Sequence, residues 1–400
     1  MICRARPKYL CEQDIRKALD TSKIDISGEK EFYLNSASGA FYFFLRCYSE
    51  VYHKTPSVAI QSLTCKSMLD AIINAGCNAY IYDITMEDLS IDYRKINFKE
   101  IDILVLTSYQ GIPSKNYLKI SEICRKENVI LFEDLCHGKE SYIGSDKLGS
   151  RCNAYIESYY FDKPYTAITG GKLYLNNISI ELGRYISAAY KKIQKERNGK
   201  KELKLLDFLM KYTSENVYNE KFDYNNFIKF PFFYKIWIYG LGKYDIYIYA
   251  MSLLYKICNR INDKMQKKKS NQLYRMDVRK IVLIQMQENR FKNRCQNINV
   301  SSKLGLENSF ENSVNKIIWN RYSIIDKNGK IKKQLQQEGF CVGNYNWVRG
   351  LHQIKEIKDN DKVKIISDCK NTEYVCQHIL NIPIWQFYLK ETSYEKSTIN

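Results

Sequence analysis

Between residues 30 and 175, short apolar runs alternate with amphipathic stretches, the spacing of strands that cross over to helices in a parallel sheet. The apolar runs Ser57–Gln61, Ala79–Asp83, Ile101–Thr107 and Val129–Phe132 predict strands. Ser67–Ala75, closed by Gly76, and Tyr117–Lys126 carry helical periodicity, and a turn is expected at Gly111-Ile-Pro113. Strand ends in such a sheet face the crevice where ligands bind, and Val129–Phe132 delivers Glu133 and Asp134 to one of them.

Over 180–265 the chain turns to Lys, Tyr, Phe and Ile and reads as mainly helical. Phe227–Tyr255 is strongly apolar, but Lys229, Lys235, Lys243 and Asp245 interrupt it. Its longest later run, Ile246–Tyr255, falls short of the roughly 20 residues that a membrane span needs. Core or dimer-interface helices are favoured over contact with a membrane surface. From Tyr274 the mixed pattern returns, with a helix over Arg279–Arg290, a strand over Lys316–Ser323, a helix near Lys332–Glu338 and a loop through Gly343–Trp347. These shifts divide the 400 residues into a large domain, 1–265, and a smaller C-terminal one, 266–400.

Composition narrows the classes. The net charge of +18 favours anionic partners, and eight Lys/Arg against three Asp/Glu fall between Ser187 and Tyr212. No zinc-finger, RNA-binding aromatic or basic-zipper signature accompanies that charge, so nucleic acid is not an expected partner. Thirteen cysteines without a CxxC pair, beside four histidines, point to reduced thiols and no metal site. Met1–Lys8 lacks an apolar core of signal-peptide length, so the expected location is the cytoplasm.

The chemistry lies in Leu131-Phe-Glu-Asp-Leu-Cys-His-Gly138, with Lys163 following Asp134 by 29 positions and Gly170-Gly171 beyond. A strand ending in a carboxylate, then a lysine on a later strand-turn, suits pyridoxal phosphate. Its aldehyde needs an amine and its ring nitrogen an anion. Asn35-Ser-Ala-Ser-Gly39 opens an apolar helix whose exposed N–H groups suit a phosphate, and Ser158 adds a hydroxyl.

The order Ser36-Ala-Ser38, Asn74–Asp83 with Leu89–Asp92, Ser108–Pro113, Phe132–His137, Gly144, Gly149, Ser158, Lys163 and Gly170-Gly171 resembles the DegT/DnrJ/EryC1/StrS family of sugar aminotransferases. Gly339–Gly343, Tyr345, His352 and Asn381-Ile-Pro383 continue it loosely. The resemblance implies an α/β fold of the aspartate-aminotransferase type (fold type I). A large, mostly parallel sheet domain would be joined by a smaller C-terminal α/β domain, in a homodimer with its site at the interface. It implies that Lys163 bonds the cofactor and carries the proton, that Asp134 holds the pyridinium, and that His137 lies near the phenolic oxygen. Ala37, Ser38 and Ser158 would hold the phosphate, with Arg275, Tyr345 and His352 as substrate contacts. The donor is expected to be an amino acid, glutamate, and the acceptor a nucleotide-linked keto-sugar.

Several positions depart from the family pattern. Cys65 stands where an aromatic residue stacks on the cofactor ring, Thr169 replaces a glutamate, and Pro164 follows the lysine. Leu273 occupies the place of an asparagine that reaches the partner's phosphate, with Asn271 nearby. The retained lysine argues against the family's dehydratases, which carry histidine there. Besides the transaminase, a different reaction on the same cofactor stays open, as does a non-catalytic homologue that binds a sugar or an active paralogue.

Overall fold

In the computed structural model the described residues are 10, 12–21, 30–160, 163–204, 206–207, 273–294, 300–311, 315–337, 342, 347–358, 360–382 and 384. Helix α1 (Glu12–Asp20) precedes β1 (Glu31–Leu34), α2 (Ala37–Tyr52), β2 (Ser57–Gln61), α3 (Lys66–Asn74) and β3 (Asn78–Tyr82). Then come β4 (Ile103–Thr107), α4 (Tyr117–Lys126), β5 (Ile130–Asp134), β6 (Tyr142–Ile143) and β7 (Asp146–Lys147). The strands β8 (Ala154–Ser158) and β9 (Gly171–Leu175) lead to α5 (Ile180–Lys192). In the C-terminal part lie the helix Val278–Arg294, β10 (Asn315–Lys316), β11 (Tyr322–Ile325), β12 (Val363–Ile365), the helix Lys370–His378 and β13 (Ile379–Ile382).

The central sheet has eight strands in the order β1-β9-β8-β5-β4-β2-β3-β12. Pairing is parallel from β8 to β12, whereas β9 runs antiparallel to both β8 and β1. Continuous apolar runs such as Ile103–Thr107 are buried throughout, as a sheet covered on both faces requires. One face packs against α2, which presents Ala37, Ala40, Phe41, Phe44, Leu45 and Tyr48 at helical spacing. The other face buries Leu104, Leu106 and Leu131 against Tyr117, Ile120 and Cys124 of α4. A third apolar cluster joins Tyr109 and Tyr159 to Trp319, Tyr322, Val375 and Ile382 of the C-terminal part.

The strand expected over Lys316–Ser323 breaks in two. Lys316 pairs with β6, and Tyr322 begins β11, which pairs with β13. Between them the backbone turns aside to other partners: Ile318 N–H donates to Ser141 Oγ (2.9 Å) and Asn320 N–H to the Gln110 carbonyl (2.9 Å). The whole apolar stretch 227–255 and residues 343–346 of the loop 343–347 lie outside the described residues. No helix among the described residues is long and apolar enough to cross a membrane.

Candidate active site

The C-terminal ends of β4, β5 and β8 bring the chemistry together. Asp134 ends β5, opposite Thr107 of β4 and Ile156 of β8. Its carboxylate is 4 % exposed and accepts the Cys136 N–H at 3.1 Å. Burial raises its pKa, against the hydrogen bonds of Cys136 and the positive charge of Lys163. A buried carboxylate held this way is completed by a cation beside it.

Lys163 follows the turn after β8, where its N–H donates to the Tyr160 carbonyl at 3.0 Å. Its Nζ lies 2.7 Å from Nε2 of His137, which is 5 % exposed. His137 Nδ1 accepts the Gln110 N–H (3.4 Å), which leaves Nε2 facing Lys163 Nζ. Gln110 reaches His137 at a backbone cost: it is fully buried at φ +52, and the next residue, Gly111, has φ +104. A Cβ on Gly111 would lie 2.5 Å from the Ile318 carbonyl oxygen, so only glycine fits.

The start of α2 forms the second part of the site. Ser36 caps the helix, its Oγ accepting the Gly39 N–H at 3.0 Å. The amides of Ala37 and Ser38 face outward at the positive end of the helix dipole, without intrahelical acceptors. Gly171 presses on this end: a Cβ there would stand 2.2 Å from Ala37 N and 2.4 Å from Ser36 C. Gly171 also pairs with Ser158, so β9 links the end of β8 to the start of α2. A methyl group at Gly171 would therefore push the start of α2 aside.

Strand alternation turns the neighbours of these residues to the opposite face. Glu157, next to Ser158, is 3 % exposed and bonded by Lys139 Nζ (2.6 Å) and Tyr159 Oη (2.7 Å). Lys172, next to Gly171, bridges Glu157 (3.4 Å) and Glu31 (3.0 Å). Burial works to raise the pKa of Glu157, yet Lys139 and Lys172 together bring it down to about 2. Glu133, beside Asp134, also faces away and accepts from Tyr117 Oη (2.7 Å) and Gly149 N (3.1 Å); burial pushes it up to about 7.

Of the residues singled out from sequence, Lys163, His137 and Asp134 converge, as do Ala37, Ser38 and Ser158. Two expected substrate contacts are engaged elsewhere. The Nε of Arg275 donates to the Ile193 carbonyl (2.8 Å), and its guanidinium lies over Tyr190. Arg275 thus anchors the α5 end to the 273–276 segment. His352 Nδ1 pairs with Ser62 Oγ at 2.6 Å and Nε2 with Glu373 at 3.1 Å, tying the C-terminal part to the end of β2. Tyr345 and Asn271 lie outside the described residues. Cys65 caps α3 and is partly exposed, giving no aromatic face. Leu273 covers the first turn of α2, its Cδ2 3.2 Å from where a Gly39 Cβ would be. Thr169 is bonded by Lys280 (2.8 Å) and donates to Glu202 (2.7 Å), so a carboxylate reaches this point from elsewhere in the chain. Sequence reasoning passed over Gln110, Lys139, Glu157 and Lys172. Charged residues at Glu157 and Lys172, each beside a small site residue in an apolar strand, were the signal.

Residues 31–189 match the family described as DegT/DnrJ/EryC1/StrS aminotransferases. Over this segment the chain is similar to that family. Its divergence is clear from a curated relative, the UDP-4-amino-4,6-dideoxy-N-acetyl-beta-L-altrosamine transaminase of Campylobacter jejuni, 29% identical over 150 residues. That match spans 36% of this chain and 39% of the relative's own length. Solved structures of the family share the fold along nearly the whole chain. Helicobacter pylori PseC, an aminotransferase of pseudoaminic acid biosynthesis, superposes with a TM-score of 0.60 at 13% identity, over 95% of this chain and 92% of its own. The E. coli GDP-4-keto-6-deoxy-D-mannose-3-dehydratase, solved with hydrated PLP, gives 0.63 at 14% identity over all of both chains. The chain thus shares the fold of these enzymes, with the mostly parallel sheet described above.

Proposed function

We propose that this chain is a pyridoxal phosphate-dependent aminotransferase that moves an amino group from an amino-acid donor, glutamate, to a nucleotide-linked keto-sugar. The observation that carries the reading is the Lys163–His137 contact of 2.7 Å beside buried Asp134. The donor set fits the cofactor at three points. Lys163 supplies an amine, Asp134 a buried anion that calls for a cation, and the Gly171-gated end of α2 an anion cradle. It fits less well at Cys65 and Leu273, where an aromatic face and a polar phosphate contact are absent.

Bound pyridoxal phosphate supplies an electrophilic aldehyde and, through its protonated ring, a sink for electrons. Lys163 Nζ would hold the aldehyde and, once the donor's amine has displaced it, would take up the proton from the donor's α-carbon. Asp134 would hold the proton on the ring nitrogen. His137 Nε2 fixes where Lys163 Nζ stands before it reacts. The Ala37 and Ser38 amides and the Ser158 hydroxyl bind the phosphate. Part of the +18 charge meets the acceptor's diphosphate, the work occurs in the cytoplasm, and two chains form a homodimer with the site at their interface.

The substrate class rests on the curated relative and the sugar aminotransferases among the solved structures. The test is donor-driven loss of the cofactor's visible absorbance. Glutamate should bleach it in the wild type, and a keto acid or a nucleotide keto-sugar should restore it. A band indifferent to a panel of amino acids would sink the transaminase reading.

A further inference from the structure

Cys65 leaves the site without its usual aromatic face, yet an indole stands at the catalytic pair. Trp347 lies parallel to the His137 ring, with centroids 5.4 Å apart and an interplanar angle of 21°. It also packs against Tyr109, centroid to centroid 4.9 Å and tilted by 60°. Tyr109 is itself fixed: its hydroxyl is 3.2 Å from Asn381 Oδ1 and 3.1 Å from Asn381 Nδ2, in β13. Asn381 Oδ1 also accepts from Ser323 Oγ of β11 at 2.7 Å. One series of contacts thus runs from the two-stranded C-terminal sheet through Tyr109, Trp347 and His137 to Lys163 Nζ.

The indole adds a contact that the ring's in-plane partners do not supply. The two imidazole nitrogens are held in the ring plane, by the Gln110 amide at 3.4 Å and by Lys163 at 2.7 Å. The Gln110 bond is long, so it resists tilting of the ring weakly. A parallel indole opposes that tilt directly, because tilting forfeits contact over a whole ring face.

We propose that Trp347 is a positioning residue. It clamps one face of His137 and so fixes Nε2 against Lys163 Nζ, making the readiness of the lysine depend on the docking of the C-terminal part. It supplies, from late in the chain, an aromatic surface that the Cys65 position lacks. The ring contact stands on the geometry alone; its effect on cofactor loading rests on the aminotransferase reading.

Two readouts separate these claims. The chain has four histidines, so protein labelled with ¹³C only at histidine Cε1 gives few signals, and His137→Gln assigns one of them. In cofactor-free protein, Trp347→Ala should move the His137 signal, through loss of the indole ring current, and leave those of His53 and His378 in place. Trp347→Phe should restore part of the shift. Adding pyridoxal phosphate, Trp347→Ala should weaken formation of the Lys163-dependent visible band by about 2- to 13-fold, the range an aromatic pair supplies. Trp347→Phe should recover most of that loss. An unmoved His137 signal in Trp347→Ala would overturn the clamp, as would a wild-type loading curve in a variant whose signal does move. If Trp347→Ala does not fold, Trp347→Phe decides, since it too must shift the His137 signal. A wild-type protein that forms no band refutes the aminotransferase reading, and the His137 signal then decides the clamp by itself.

Discussion

Replacing Gly171 by alanine tests how the site is built. The added Cβ would stand 2.2 Å from Ala37 N, 2.4 Å from Ser36 C and 2.5 Å from Ala37 Cα, all of them backbone atoms that cannot rotate away. Ordinary contact begins at 3.4 Å, so β9 and the start of α2 must part by roughly 1.2 Å. Overpacking of this kind costs about 1–3 kcal/mol of stability, measurable by urea unfolding. The displacement also carries the Ala37 and Ser38 amides away from Ser158. Each charge-assisted hydrogen bond lost to the phosphate is worth about 1.5–3 kcal/mol, so pyridoxal phosphate should bind roughly ten- to a hundredfold more weakly. Pyridoxal, which lacks the phosphate, should bind within about twofold of wild type, since Lys163 and Asp134 are untouched. A folded variant that binds pyridoxal phosphate like wild type would refute the cradle. So would one that loses both ligands equally.

Three further outcomes follow from the buried charges. Asp134→Asn keeps the shape but not the anion at the ring nitrogen, and should lower kcat by roughly a hundredfold or more with little change in acceptor KM. Stopped-flow of the donor half-reaction checks this. The folded pKa of Glu133, about 7, lies above its ordinary value of 4.5, so its contribution to stability is complete below about pH 4.5 and is lost as pH rises through 7. That slope, at most about 3 kcal/mol, should vanish from the unfolding curves of Glu133→Gln. Lys280 is fully buried, with Glu196 at 3.2 Å and Glu202 at 2.8 Å, so Lys280→Ala strands two carboxylates and should destabilise by about 3 kcal/mol in thermal or urea unfolding.

Much of the sheet was legible because its strands are buried on both faces and therefore read as unbroken apolar runs. Ser57–Gln61 and Tyr117–Lys126 fall where periodicity placed them. Short or half-exposed strands were not legible: β9 opens on Gly171-Lys172, and β12 is only the three-residue Val363-Lys-Ile365, joined to β3 across a long separation. Lys316–Ser323 failed as a strand because its backbone finds partners in Ser141 and Gln110, which no local pattern reveals. In the site, Asp134, His137 and Lys163 could be read because they sit at fixed spacing around strand ends. The engagement of Arg275 and His352 was not legible, since the Ile193 carbonyl, Ser62 and Glu373 that bond them are distant in sequence. Trp347 stayed hidden for the same reason: it meets His137 only through the packing of the C-terminal part.

The most direct test of the account is to locate the cofactor on the chain. Protein incubated with pyridoxal phosphate is reduced with borohydride, digested and mapped by mass spectrometry. The account predicts a single pyridoxyl-phosphate mark, on Lys163, absent from Lys163→Ala and weakened in Gly171→Ala. A mark spread over surface lysines, or persisting at another lysine in Lys163→Ala at equal yield, would contradict it.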